Sequence, residues 1–129
     1  MRTHVQACLP EEACGLLAGS SGTIRGVLPI KNRAASPVRF QMDAVEQLQA
    51  FDHIETQGWQ LLGIYHSHPA GPARPSATDL AEAAYEVVHL IWSPGEGGWK
   101  VNGFWIRHGT ASEVELTVAD AEAKSTTDN

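Results

Sequence analysis

Basic side chains are scarce in this sequence. Nine Lys and Arg stand against fifteen Asp and Glu among 129 residues, giving a formal charge of -6 and a pI near 5.4. No Lys/Arg cluster interrupts that acidic balance, which argues against a phosphate-backbone partner and excludes nucleic acid binding as an expectation. Long apolar runs are missing too. No stretch approaches the ~18 residues that span a bilayer, and Met1-Arg2-Thr3-His4 leads into no signal-peptide core, so we expect no membrane partner and a cytoplasmic location. Cysteine is nearly absent, with only Cys8 and Cys14; no disulfide framework is indicated, and both thiols are expected to be reduced.

What is present is the composition of a globular domain, with 43% AVILMFWYC residues, 19% charged residues, and 12 Gly and 7 Pro spread along the chain. The length suits one core and not two. We expect one domain over 1–119 and a polar, frayed tail over 120–129. Met1 to Leu9 reads as the end of a helix with Val5, Cys8 and Leu9 at helical spacing. Ala13 to Ala18 is a short apolar run closed by Gly19-Ser20-Ser21-Gly22, a buried strand whose hairpin partner is Thr23 to Lys31. After Pro37 the pattern predicts a short strand over Val38 to Met42. Asp43 then caps a helix running to Gln57, where Val45, Leu48, Phe51 and Ile54 recur at three- and four-residue steps.

The next run, Trp59 to Tyr65, has the length and apolar character of a central strand, and it delivers His66-Ser67-His68 directly into a loop with three prolines between Pro69 and Pro75. Ser76 opens a helix through about Ala84. Strands follow over Val87 to Trp92 and Lys100 to Ile106, with a turn over Ser93 to Gly98 and a last strand over Val114 to Val118.

Two imidazoles at i and i+2 on an extended chain point to the same side and can share one metal ion. Asp79 falls eleven residues beyond His68, in the first turn of the next helix, and the stiff loop between can return its carboxylate to the histidines. Two His and one carboxylate suit Zn²⁺ with a fourth position left open, although the same set also serves Fe²⁺ or Mn²⁺. Asp79 and Ser76 have simpler readings as well, as a carboxylate near the helix dipole and an N-cap. His4, His53, His89 and His108 lack any ligand at suitable spacing.

The string Gly63-Ile64-Tyr65-His66-Ser67-His68-Pro69 followed by Pro75-Ser76-Ala77-Thr78-Asp79 resembles the His-x-His, seven residues beginning with Pro, Ser-x-x-Asp signature of the JAMM (MPN+) zinc metalloproteases. Glu12-Ala13-Cys14-Gly15 is similar to that family's Glu-x-x-Gly strand, and the likeness spans roughly residues 5 to 110. It implies an α/β (α+β-like) fold, a single JAMM/MPN domain with a central mixed sheet flanked by helices, close in outline to cytidine deaminases. It also implies one Zn²⁺ on His66, His68 and Asp79, with Glu12 as general base and Ser76 acting on the oxyanion. With loops this short the chain resembles the small, stand-alone prokaryotic branch of that family, whose implied substrate is the C-terminal Gly-Gly of a ubiquitin-like or sulfur-carrier protein. The family's non-catalytic scaffolds are the alternative, but they lose the ligands that this chain keeps. A deaminase would need Cys-x-x-Cys ligands and a His-x-Glu strand, and neither is here. Only about nine residues precede Pro10, which predicts an exposed sheet edge beside residues 1–9 and a homodimer that covers it.

Overall fold

The computed structural model describes residues 1–117. The expected tail over 120–129, with the domain end at 119, lies outside them. Six strands form one sheet in the order β2-β1-β3-β4-β5-β6. These are β1 (Cys14–Ser20), β2 (Thr23–Ile30), β3 (Gln60–Ser67), β4 (Val88–Gly95), β5 (Gly98–Arg107) and β6 (Thr110–Val114). All neighbours are antiparallel except β3 and β4, which run parallel. The mixed sheet and flanking helices are those the resemblance implies.

Three helices cover the sheet: α1 (Arg2–Ala7), α2 (Ala44–Thr56) and α3 (Ala77–Glu82). Side-chain alternation assigns the two faces. On one, α2 packs Ala50 and Ile54 against Leu16, Ala18 and Ile64, while Leu80 and Ala83 lie against Ile91, Phe104 and Ile106. On the other, Val5 of α1 packs with Leu17, Tyr65, Leu90 and Trp92. Among the described residues no helix is long and apolar enough to cross a membrane.

Three sequence expectations need correction. Val38 to Met42 is not a strand; only an isolated bridge joins Asn32 and Met42. The Asn32 side chain takes up the backbone groups instead, donating to the Arg39 carbonyl and accepting from the Ala34 and Gln41 amides at 2.9–3.0 Å. The last strand is β6, Thr110–Val114, and not Val114 to Val118, of which Val118 lies outside the described residues. His108 and Gly109, at φ 53° and 75°, turn the chain in two residues and set this earlier register. Finally, residues 1–9 border no open strand edge. They hold a helix with Val5 fully buried, and among the described residues the sheet's edge strands are β2 and β6.

Candidate metal centre

Strand β3 ends inside the molecule. His66 is fully buried and His68 nearly so, and both turn Nε2 toward Asp79. The two Nε2 atoms are 3.2 Å apart, and Asp79 Oδ2 lies 3.2 Å from the first and 3.0 Å from the second. Four ligands at about 2.0–2.1 Å around a tetrahedral ion lie roughly 3.3 Å from one another, so this triangle has the dimensions of one face of a zinc site.

The hydrogen bonds around the triangle set its electronics. His68 Nδ1 is 2.8 Å from the Pro72 carbonyl, which can only accept, so this nitrogen donates and Nε2 of the neutral ring carries a lone pair. A lone pair facing a carboxylate at 3.0 Å is repulsive unless a cation sits between them. Titration tendencies agree that positive charge is welcome here. Burial opposes ionisation of Asp79, yet contacts with His66 and His68 outweigh it and hold the carboxyl well below its usual range. His68 is displaced upward, with burial overcome by Asp79 and the Pro72 carbonyl, whereas complete burial pushes His66 down. The donor set and spacing therefore fit a small divalent cation.

Asp79 reaches the site because α3 begins with a reciprocal cap. Ser76 Oγ accepts from the Asp79 amide at 3.0 Å, and Asp79 Oδ2 accepts from the Ser76 amide at 2.9 Å. Pairing of this kind fixes the carboxylate rotamer before any ligand arrives. The simple N-cap reading of Ser76 is thus correct, and it leaves the hydroxyl proton free.

A second carboxylate faces the pair. Glu12 offers an oxygen within 4.8 Å of the histidine ligand atoms, with only 2% of the residue exposed and Oε1 without a partner. Burial raises its carboxyl to about 7, Asp79 adds to the rise, and His68 works against it. Its backbone is tightly held: the amide donates to the Ser36 carbonyl at 2.8 Å and the carbonyl accepts from Asn32 at 3.0 Å. Three residues on, Gly15 is required by packing, since a Cβ there would collide with the Tyr65 ring.

A groove of about 480 Å³ opens beside His66 and Asp79, lined by Arg39, Phe40, Tyr85 and His89 among others. Phe40 stacks on His66 with centroids 4.6 Å apart, so the irregular loop held by Asn32 roofs the site. Arg39 and Glu82 form a half-exposed ion pair at 3.1 Å between groove-lining residues. All five expected residues, Glu12, His66, His68, Ser76 and Asp79, are brought together. Phe40 and His89 were not singled out for the site. His89 had no spacing signal, because its place opposite Ile64 follows from the β3–β4 register.

Comparison with known proteins agrees with this geometry. The family model "Prokaryotic homologs of the JAB domain" matches residues 1–107. This chain belongs to that family. It is 39% identical over 118 residues to the probable TtuB-protein conjugate cleaving protease of Thermus thermophilus, covering 91% of this chain and 75% of the relative. Identity to the desampylase of Pyrococcus furiosus is 44% over 110 residues, 83% of this chain and 76% of that one. The CysO-cysteine peptidase of Mycobacterium tuberculosis is 37% identical over 93 residues, 70% of this JAB-domain chain and 64% of the relative. Among solved structures, a protein from Desulfitobacterium hafniense superimposes with a TM-score of 0.82 at 38% identity, covering 91% of this chain and 84% of that one.

Proposed function

We propose that this JAB-domain chain is a zinc metallopeptidase that hydrolyses the peptide or isopeptide bond after the C-terminal Gly-Gly of a ubiquitin-like or sulfur-carrier protein. One observation carries the reading: three ligand atoms converge within 3.2 Å of one another beside a buried carboxylate that has no partner. The names of the relatives, a probable TtuB-protein conjugate cleaving protease, a desampylase and a CysO-cysteine peptidase, support the substrate class.

His66, His68 and Asp79 would hold the ion. Zinc bound there supplies Lewis acidity toward both the attacking water and the scissile carbonyl, and Fe²⁺ or Mn²⁺ would suit the same donors. Glu12 stands back from the triangle and acts as the base. A carboxyl poised near 7 can take a proton from water and return it to the leaving amine at neutral pH. Ser76 keeps its hydroxyl proton free while Oγ caps α3, so it can donate to the oxygen on which charge develops. A tail without Cβ atoms can lie close against the groove beside Phe40 and His66.

A cytoplasmic location belongs to the same proposal. A homodimer would pair through the open edges β2 or β6, which sedimentation at micromolar concentration reads directly. The function is tested by metal analysis of the purified protein with an assay on a carrier fused through Gly-Gly. Chelator-sensitive cleavage after the second Gly is expected. An intact fusion with fully loaded protein overturns the reading and favours the non-catalytic scaffold.

A further inference from the structure

Resting on that function, we infer that Ser67, the residue between the two histidines, is a positioning residue for Glu12. Its side chain is fully buried, and it points away from the triangle toward the start of β1. The register that pairs Cys14 with His66 would next pair Ala13 with Ser67. Half of that rung is main chain: the Ser67 amide donates to the Ala13 carbonyl at 3.0 Å. The other half is not. The Ala13 amide donates to Ser67 Oγ at 2.8 Å, so a hydroxyl stands where the ladder would use a carbonyl.

That substitution falls one residue from Glu12. The carboxylate is buried and Oε1 finds no hydrogen bond among the described residues, so its place depends on packing and on the backbone that carries it. An unpartnered buried carboxylate gains free energy by swinging into water. Anchored backbone opposes it, through the Ser36 carbonyl and Asn32 on one side and the Ser67 clamp on the other. The residue separating the two histidines thus ties the backbone beside the base, through two hydrogen bonds, to the strand that carries the residues that would hold the metal.

The test compares Ser67→Ala with the parent in metal content, kcat, KM and amide exchange. We expect one equivalent of zinc to be retained, kcat to fall about 10–100-fold, and KM to change less than about threefold. Ser67→Thr, which keeps the oxygen, should recover most of the rate. In a Glu12→Gln background, Ser67→Ala should lower the residual single-turnover rate no further, because the group it positions is gone. An unchanged kcat, loss of zinc in proportion to rate, or the same loss with Glu12→Gln would overturn the inference. Should Ser67→Ala not fold, Ser67→Cys, with a weaker acceptor of similar size, carries the same comparisons. If the parent shows no hydrolysis, the function reading fails on its own. The clamp is then read from hydrogen exchange at Ala13 in the full chain, where Ser67→Ala or →Cys should accelerate exchange at least about tenfold and an unchanged rate contradicts it.

Discussion

The two faces of the sheet hold polar groups on opposite terms. On the α1 face, Tyr65 is fully buried, yet its hydroxyl is 2.7 Å from His4 Nδ1, and Ser67 is bonded to Ala13. Trp92 Nε1 is an exception without a partner there. On the α2/α3 side, Glu12 Oε1, His66 Nδ1 and both nitrogens of His89 are buried without partners. Partnered polar groups stabilise a core, whereas unpartnered ones each cost about 1–3 kcal/mol and persist where a ligand or reaction needs them. Both faces hold core, but unpartnered buried polar groups gather on the α2/α3 face, around the candidate site.

Substitutions that break this contrast should differ in kind. The largest effect is expected from His68→Ala, which removes one corner of the triangle: zinc should be lost and cleavage should fall below detection. Elemental analysis showing a full equivalent of zinc would refute this. Glu12→Gln should retain zinc, lower kcat roughly 10²–10⁴-fold, and raise the melting temperature of the metal-free protein by removing a buried charge. An unstable Glu12→Gln protein would place that residue in the structural class instead.

Ser76→Ala should lower kcat by about 2–4 kcal/mol of barrier while costing about 1 kcal/mol of stability as a lost N-cap. Kinetics beside a melting curve separates the two. For His89, burial chiefly, with help from His66, lowers the folded pKa from 6.5 to about 4. Between those values the unfolded chain binds a proton that the folded chain refuses, so stability falls as pH drops from 6.5 toward 4, by up to about 3 kcal/mol. Glu12, raised from 4.5 to about 7, contributes with the opposite sign over this window, so the readout is the difference between parent and metal-free His89→Leu. Denaturant titrations at pH 4.5 and 7 should show the variant gaining stability relative to the parent at the lower pH, and an unchanged difference contradicts the His89 assignment. On the opposite face, Tyr65→Phe should cost only about 1 kcal/mol and leave kcat alone.

Much of this division was legible beforehand because it depends on short-range spacing. His66 and His68 share a side through the two-residue period of β3, and Asp79 is fixed by the capping box that Ser76 announces. The helix expected over Asp43 to Gln57 is α2, since a cap and an apolar stripe are local signals. What stayed hidden depends on partners distant in sequence. Val38 to Met42 looked strand-like, but Asn32 competes for its backbone. His108-Gly109 passed unrecognised as a turn because β6 is a mostly exposed edge with little alternation. His89 enters the groove wall only through a parallel pairing across the α3 crossover.

Two carboxylates face the histidine pair, and we propose that Asp79 would hold the metal while Glu12 moves the proton. The most direct test is zinc stoichiometry measured side by side in Asp79→Asn and Glu12→Gln. We predict that Asp79→Asn loses the ion, while Glu12→Gln keeps one equivalent and cleaves roughly 10²–10⁴-fold more slowly. Zinc retained by Asp79→Asn and lost from Glu12→Gln would contradict the assignment and make Glu12 the third ligand.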